Sequence, residues 1–320
     1  MTPVAFIGLG HMGSHMCRNV ITAGFDVAAF DLDPDALARA VTVGARAAGS
    51  VADCCDGAEI LITSLPGPPQ VEAVLCGSGA GSGAGSGSRA GSGSRAVSAI
   101  DALAPGGLIV EMSTSSVEVG RKALAAAGAR GLQLVDAPVA GQTIRAESGT
   151  LAIYAGGEPE AFARALPVLE AIGDPRQIYH LGPSGSGYAV KLLLNLTWFV
   201  HAVATAEVLT VGVKAGVDLD KLHTALVHSP ANSEFLEHDV LMVLDRGDYD
   251  EGFAMKLVTK DLGLAVDLAR DVGVPVELAS LVEQIHRRAR ATYGDAAGEM
   301  SAVKLYEDLA GIELRWPTSS

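Results

Sequence analysis

The stretch that decides the fold is "VAFIGLGHMGSHMCRN", residues 4–19. Its apolar start, Val4–Ile7, predicts a buried strand, and a helical pattern follows it. Between strand and helix lie Gly8, Gly10 and Gly13, in the spacing G-x-G-x-x-G. In this context the first glycine permits a tight turn, the second lets a diphosphate approach the backbone, and the third lets helix and strand pack closely. Because the start of the helix presents free N–H groups, the segment is predicted to bind a diphosphate.

The first half of the chain alternates apolar runs with helical patterns, which predicts a doubly wound parallel sheet of the Rossmann type with right-handed crossovers. We predict strands at Val4–Ile7, Val27–Phe30, Ile60–Leu65, Leu108–Met112, Leu132–Asp136 and Leu151–Ala155. We predict helices at about Met12–Ala23, after Pro34 and at Pro159–Ile172. The expected ligand is therefore a dinucleotide, and its predicted contacts at the glycine loop are Gly8, Leu9, Gly10, His11, Met12 and Gly13.

The second strand ends next to Asp31, which follows Gly13 by 18 residues. A carboxylate at this position accepts hydrogen bonds from the ribose hydroxyls of NAD and repels the 2′-phosphate of NADP. No arginine stands directly after it to bind that phosphate. The predicted cofactor is therefore NAD, and the alternative is that Asp31 is a solvated turn residue.

The second half of the chain has a different pattern. After "GPSGSG", residues 182–187, strand signals nearly vanish. Helices are predicted at Tyr188–Ala215, Leu219–His228, Asn232–Leu244, Met255–Val272, Leu278–Tyr293 and Ala302–Ala310. We therefore expect a Rossmann domain over residues 1–182 and an all-α domain for substrate binding and dimerisation over residues 183–320. The Gly/Ser-rich run at residues 77–96 cannot form a core and is predicted to be a flexible insert.

The composition excludes several classes of protein. A net charge of −14 argues against a nucleic-acid binder and against an anionic membrane surface as partner. The four cysteines lack metal-ligand spacing, so we expect no metal and a reducing, cytoplasmic compartment. The first residues lack the basic start and cleavage site of a signal peptide. The apolar segment 192–213 is long enough to cross a membrane, but its polar residues favour the core helix of a soluble protein.

The start of that apolar segment carries Lys191 and Asn195, which are four residues apart and so share one face of the predicted helix. A buried ammonium is unfavourable unless it is paired or loses its proton. Oxidation of an alcohol needs a base for the hydroxyl proton while a hydride leaves the carbon. Lys191 can take that role if desolvation lowers its pKa from a reference value of about 10.4. The alternative is a helix-start lysine whose amine extends into solvent.

Six motifs together resemble the β-hydroxyacid dehydrogenases, the family of 3-hydroxyisobutyrate dehydrogenase and 6-phosphogluconate dehydrogenase. They are "GLGHMGSHMCRN", "SLPGPPQVEAVL", "EMSTSS", "DAPVAGQTIRAESGTLAIYAGG", "GSGYAVKLLLN" and "FAMKLVTKDLGLA". The resemblance covers nearly the whole chain except the Gly/Ser-rich run. It implies that Lys191 is the catalytic lysine and that Asn195 is its partner at the substrate. It further implies cofactor contacts from Leu65, Pro66, Gln70, Thr114 and Lys260, with an exposed Lys260–Asp261 ion pair as the alternative for the last.

The sequence departs from the family at the expected substrate loop. Family members commonly read Ser-Gly-Gly after the "DAPV" strand, whereas this chain has Ala140, Gly141 and Gln142. The N–H groups of the last two residues can still bind a carboxylate. Because the serine hydroxyl is missing and Gln142 adds bulk, we expect a small β-hydroxy acid that is larger than 3-hydroxyisobutyrate or differently substituted. Leu194 also replaces the first of two asparagines that relatives carry after the lysine.

Other functions fit the sequence less well. Tyr188 and Lys191 are three residues apart, whereas short-chain dehydrogenases need four, and the cysteines supply no zinc site of the alcohol-dehydrogenase kind. An imine or ketone reductase and a non-catalytic NAD-binding scaffold share the expected fold. Relatives of both kinds tend to lack the lysine, so Lys191 favours the dehydrogenase. By resemblance we also expect a homodimer or homotetramer.

Overall fold

Two structural units follow one another along the chain, Met1–Lys191 and Leu192–Ser320. The computed structural model describes residues 1–77, 97–250 and 252–316. Residues 78–96 of the predicted insert therefore lie outside the described residues. The division after Lys191 falls nine residues beyond the domain boundary predicted at Gly182.

A parallel sheet of six strands forms the centre of the first unit. The strands are β1 (Pro3–Ile7), β2 (Asp26–Phe30), β3 (Arg46–Ala47), β4 (Ile60–Thr63), β5 (Leu108–Glu111) and β6 (Gln133–Asp136). Their order is β3-β2-β1-β4-β5-β6, and every neighbouring pair is parallel. The predicted Rossmann sheet is confirmed, and its strand order changes direction between β1 and β4, where such sheets bind ligands.

Helices cover both faces of this sheet. The helices of this unit are α1 (Gly13–Thr22), α2 (Pro34–Thr42), α3 (Val51–Cys55), α4 (Pro68–Cys76), α5 (Ala99–Ala102), α6 (Val117–Ala129), α7 (Gln142–Ser148) and α8 (Pro159–Ile172). Successive side chains of a strand point to opposite faces, so Val4 and Phe6 join one buried apolar cluster while Ala5 and Ile7 join another. Burial on both faces explains why these strands are continuous apolar runs rather than alternating ones.

A second, smaller sheet corrects one prediction. It contains β7 (Val139–Ala140), β8 (Leu151–Ala155) and β9 (Gly173–His180), in the order β7-β8-β9. The prediction that Leu151–Ala155 continues the large parallel sheet was wrong, because this strand pairs antiparallel with β7 and parallel with β9. A short apolar run predicts a buried strand but not the sheet to which it belongs.

The second unit is helical, as predicted. Its elements are α9 (Ser186–Lys214), which begins in the first unit, α10 (Leu219–Val227), a π-helical turn (Phe235–Asp239), α11 (Leu241–Arg246), α12 (Met255–Asp271), α13 (Glu277–Tyr293) and α14 (Ser301–Ala310). The single helix predicted at Asn232–Leu244 was wrong, because the π-helical turn and α11 divide this segment. Phe235 is fully buried in a core cluster of this unit.

Helix α9 is long and apolar enough to cross a membrane by the criteria of length and composition alone. Phe199, Ala206 and Leu209 on this helix are buried in the apolar clusters of the second unit. On another side of the helix, Leu193 and Val211 are 51% and 67% exposed. One face of α9 therefore packs in the core of the second unit while another remains apolar at the surface.

The buried imidazole of His286 makes the stability of the second unit depend on pH. It lies on α13, fully buried, with Nδ1–H donating to the Val282 carbonyl at 2.9 Å and its ring 5.2 Å from that of Phe199. Burial lowers the pKa of His286 to about 4. Between about pH 6.5 and pH 4 the unfolded chain therefore binds a proton that the folded chain does not, so stability falls as the pH falls.

We predict that His286→Phe removes this dependence. The free energy of unfolding of the unaltered protein should fall by up to about 3 kcal/mol through this window because of His286, and that part should be missing in the variant. Urea unfolding at several pH values between 4 and 7 measures the free energy of unfolding of both proteins. The difference between the two pH profiles gives the contribution of His286, because the carboxyl groups contribute equally to both. Equal losses in both proteins would contradict the prediction.

Candidate functional site

The glycine loop joins β1 to α1, and its three glycines meet different constraints. Gly8 has φ +98°, and a Cβ there would lie 2.2 Å from the Ser64 carbonyl oxygen. A Cβ on Gly13 would lie 2.0 Å from the Gly8 carbonyl oxygen. Around Gly10, in contrast, no atom lies within 4 Å of the added Cβ. The first and third glycines are required by the fold, whereas the second leaves open space of the kind that a bound diphosphate needs.

Asp31 is attached directly to this loop. Its Oδ2 accepts from the Leu9 N–H at 2.5 Å, and its Oδ1 accepts from the Asp33 N–H at 2.8 Å. The alternative interpretation, a solvated turn residue, accounts for the second bond but not for the first. Each carboxylate oxygen can accept more than one hydrogen bond, so both retain capacity for ribose hydroxyls.

The loops after β4 and β5 lie next to the glycine loop, because β1, β4 and β5 are adjacent parallel strands with their carboxyl ends at one edge. Leu65 and Pro66 follow β4, Gln70 lies on the exposed side of α4, and Thr114 follows β5. The Leu65 N–H donates to Ser113 Oγ at 2.8 Å, which joins the two loops. The first unit therefore holds every predicted cofactor residue except Lys260.

A buried carboxyl group under these loops was not predicted. Glu111 ends β5, is fully buried, and accepts hydrogen bonds from the Ser113 N–H at 3.0 Å, Thr63 Oγ1 at 3.3 Å and the Tyr188 hydroxyl at 2.5 Å. Burial raises the pKa of Glu111 to about 7, against the opposing effect of these hydrogen bonds. The signal was a glutamate at the end of the apolar strand "LIVE", since acidic residues are rarely buried without partners.

A second buried carboxyl group fixes the start of α9. Asp136 ends β6; its Oδ1 accepts from the Gly185 N–H at 2.6 Å and from the Ser184 hydroxyl at 3.0 Å. Its Oδ2 accepts from the Tyr188 N–H at 3.0 Å. Burial raises the pKa of Asp136 to about 6. From the end of β6, Asp136 therefore caps α9 by accepting hydrogen bonds from N–H groups that have no partner within the helix.

The predicted catalytic pair lies near that start. Lys191 is in the second turn of α9 and half-buried, and Asn195 follows one turn later. In the second unit, Asn195 Nδ2 donates to Asp261 Oδ2 at 2.7 Å, and Lys260 Nζ lies 3.0 Å from Asp261 Oδ1. The alternative of an exposed Lys260–Asp261 pair was wrong, because the Asp261 side chain is completely buried. Asp261 is thus a buried carboxyl group of the second unit that contacts both Asn195 and Lys260.

The predicted substrate loop has unusual backbone geometry. It runs from β7 through Gly141, with φ +128°, into α7, whose first residue is Gln142. At φ +57°, Gln142 is the only non-glycine residue with positive φ in the described parts of the chain. Such a conformation costs roughly 1 kcal/mol or more for a residue with a Cβ and is concentrated at functional sites.

Comparisons with known proteins cover both units. Residues 3–182 match the model described as the NAD binding domain of 6-phosphogluconate dehydrogenase. Residues 185–306 match the model described as NAD-binding of NADP-dependent 3-hydroxyisobutyrate dehydrogenase.

Similar proteins match over nearly their whole length. The chain is 35% identical to 2-(hydroxymethyl)glutarate dehydrogenase of Eubacterium barkeri, over 97% of each chain. It is also 35% identical to 3-hydroxyisobutyrate dehydrogenase of Pseudomonas aeruginosa, over 96% of this chain and 99% of that one. With NAD-dependent L-serine dehydrogenase of the same organism the identity is 34%, over 97% and 100%.

A solved structure is similar as well. It is that of Mycobacterium tuberculosis 3-hydroxyisobutyrate dehydrogenase with L-serine, with a TM-score of 0.84 and 30% identity over 97% of this chain and 99% of that one.

Substitution of single glycines tests the loop geometry. We predict that Gly10→Ala folds with unchanged thermal stability but binds NAD at least about tenfold more weakly, because the methyl group occupies the open space. Fluorescence titration with NAD and thermal unfolding measure the two effects. The matched variant Gly13→Ala should lose about 3 kcal/mol or more of stability through its overlap with Gly8. Unchanged NAD affinity in Gly10→Ala would contradict this assignment of the open space.

Proposed function

The chain belongs to the β-hydroxyacid dehydrogenase family and is an NAD-dependent hydroxyacid dehydrogenase, and we propose that Lys191 is its proton carrier. When bound, NAD supplies the hydride acceptor. In the oxidation, the carbinol carbon would lose its hydrogen together with both electrons of the C–H bond, as a hydride. The hydroxyl proton would move to the Lys191 amine, and the C–O bond would become a C=O bond. In the reduction the ammonium returns that proton to the carbonyl oxygen.

One observation carries this proposal. The first turn of α9 is bound through Asp136 and Tyr188 to the carboxyl ends of β5 and β6, and the glycine loop leaves the same edge of the sheet. Lys191 comes less than one turn later, in the same unit as the predicted cofactor residues. A lysine on a helix whose first turn is held by several hydrogen bonds suits a group that must meet a substrate hydroxyl in one geometry.

We assign Asn195 to the substrate. Its hydrogen bond to the buried Asp261 fixes the orientation of the amide, and an oriented amide can bind a hydroxyl or carboxylate. Lys260 carries the positive charge beside Asp261 and is assigned to the cofactor. Asp31, Leu65, Pro66, Gln70 and Thr114 complete the proposed cofactor contacts, and Asp31 favours NAD over NADP by charge.

The proposed substrate is a small acid with a hydroxymethyl group on the carbon that bears the carboxylate. The named substrates of three relatives, 3-hydroxyisobutyrate, L-serine and 2-(hydroxymethyl)glutarate, share this fragment and differ in the remaining substituent. The N–H groups of Gly141 and Gln142 are proposed to bind the carboxylate. The Gln142 side chain, which replaces a glycine of the family pattern, is proposed to select the variable substituent.

We also propose that the enzyme is cytoplasmic and forms a homodimer or homotetramer. The exposed apolar side chains of α9, among them Leu193, Val208 and Val211, give a surface that a second copy would cover. The charge of −14 makes an anionic membrane a poor alternative partner for that surface.

The function is tested with a panel of hydroxy acids that vary in the remaining substituent, each assayed with NAD and with NADP. We predict turnover of at least one hydroxymethyl acid, with kcat/KM higher for NAD than for NADP.

Lys191→Met should lower kcat by at least about a thousandfold while NAD binding is retained, because the proton carrier is lost. Reduction of imines or ketones alone would favour a reductase, NAD binding without any turnover would favour a scaffold, and full activity of Lys191→Met would refute the assigned mechanism.

Gln142→Gly tests the selectivity of the loop. Glycine adopts positive φ without strain, so the variant should be as stable as the unaltered protein or up to about 1 kcal/mol more stable. Its ratio of kcat/KM between two acids of the panel should change by about tenfold, because the side chain that contacts the variable substituent is gone. The matched control is Gln284→Gly on the exposed side of α13, which should lose about 0.7 kcal/mol and keep its selectivity. An unchanged ratio in Gln142→Gly would remove this residue from the site.

A further inference from the structure

The ring of Tyr188 is enclosed in the first unit. Tyr188 is 1% exposed, and a Cβ added to Gly120 of α6 would lie 2.5 Å from its Cε2, so the ring packs directly against the α6 backbone. Its hydroxyl donates to Glu111 Oε2 at 2.5 Å, and its N–H donates to Asp136 Oδ2 at 3.0 Å. Both the side chain and the backbone of Tyr188 are therefore held at the carboxyl ends of β5 and β6.

Glu111 extends this contact to the loops that follow β4 and β5. Its other oxygen, Oε1, accepts from Thr63 at the end of β4 and from the Ser113 N–H. The Ser113 hydroxyl in turn accepts from the Leu65 N–H. One chain of hydrogen bonds thus runs from the loop of Leu65, through Ser113 and Glu111, to the first turn of α9.

Lys191 follows Tyr188 by three residues on that helix, and residues at this spacing are neighbours on a helix surface. A rotation or shift of the first turn of α9 would therefore move the Lys191 side chain with it. The hydroxyl of Tyr188 is the atom that ties this turn to the loops assigned to the nicotinamide ribose.

The packing alone does not require this polar contact. A buried hydroxyl and a buried carboxyl are unfavourable unless they are paired, and a phenylalanine would fill the same space against Gly120. What the pair adds is a directional contact that fixes one arrangement of helix and loops.

We propose that Tyr188 and Glu111 are positioning residues that hold the Lys191 turn of α9 in register with the loops after β4 and β5. This inference rests on the proposed role of Lys191. Neither residue touches substrate in this assignment; each acts on the reaction through the position of the lysine amine.

The experiment is a double-mutant cycle of Tyr188→Phe, Glu111→Gln and the double variant. We expect each single variant to lower kcat about tenfold with less than a twofold change in the KM for NAD. The double variant should be no slower than the slower single one, because the two residues act as one unit. With substrate deuterated at the carbinol carbon, the isotope effect on kcat should rise in each variant, since a misplaced proton carrier makes the chemical step slower relative to product release.

A matched control comes from the second unit, where the Tyr249 hydroxyl donates to the buried carboxylate of Glu307. Tyr249→Phe deletes the same kind of bond and should lower thermal stability with no change in kcat or in the isotope effect. If Tyr188→Phe behaves like this control, with stability lost and kcat unchanged, the pair is structural only and the inference is overturned. If Lys191→Met keeps its activity, the proposed function itself fails, and that outcome is separate from the result of the cycle.

Discussion

The structure of the first unit depends on two buried carboxyl groups at the ends of adjacent strands. Asp136 accepts the first N–H groups of α9, and Glu111 accepts the hydroxyl of Tyr188 from the first turn of the same helix. Burying two acids is costly, and burial raises the pKa of both groups. The fold tolerates them because both oxygens of each carboxyl group accept hydrogen bonds. The contacts hold the start of the Lys191 helix at the edge of the sheet where the glycine loop begins.

At the same edge, the glycine loop and Asp31 form a second constrained element. The bond from the Leu9 N–H to the Asp31 carboxylate fixes the loop relative to the end of β2. Overlap with Ser64 and Gly8 leaves no choice of residue at two of the three glycines, while Gly10 is free of such constraints. The loop conformation is therefore determined by the protein itself, so the diphosphate would meet a prepared site rather than having to order the loop on binding.

The sequence was informative where one segment carries both a fold and its chemistry. The run from Val4 to Gly13 predicted the strand, the turn and the helix, because the apolar pattern and the glycine spacing are local. The sequence was uninformative where a segment's pairing or a side chain's role depends on residues far away in the chain. Leu151–Ala155 could pair with either sheet, and the mostly polar β9 has little strand signal. Glu111, Asp136 and Asp261 all lie inside motifs that the sequence analysis quoted. Their roles depend on burial and on partners far away in the chain, which the motifs do not show. Glu111 and Asp136 bind side chains 48 to 77 residues away, and Asp261 binds one 66 residues away.

The chemistry of the Glu111 network also bears on how the site behaves near neutral pH. With a pKa of about 7, Glu111 is present in both protonation states there. The Ser113 N–H can only donate, so it always requires a lone pair on Oε1. The hydroxyls of Thr63 and Tyr188, however, can rotate, and each can donate to a carboxylate or accept from a protonated carboxyl group. The network can therefore bind Glu111 in either state without moving the first turn of α9. A lysine at Tyr188 or Thr63, a donor only, would not have this property, which gives a physical reason for hydroxyl groups at both positions.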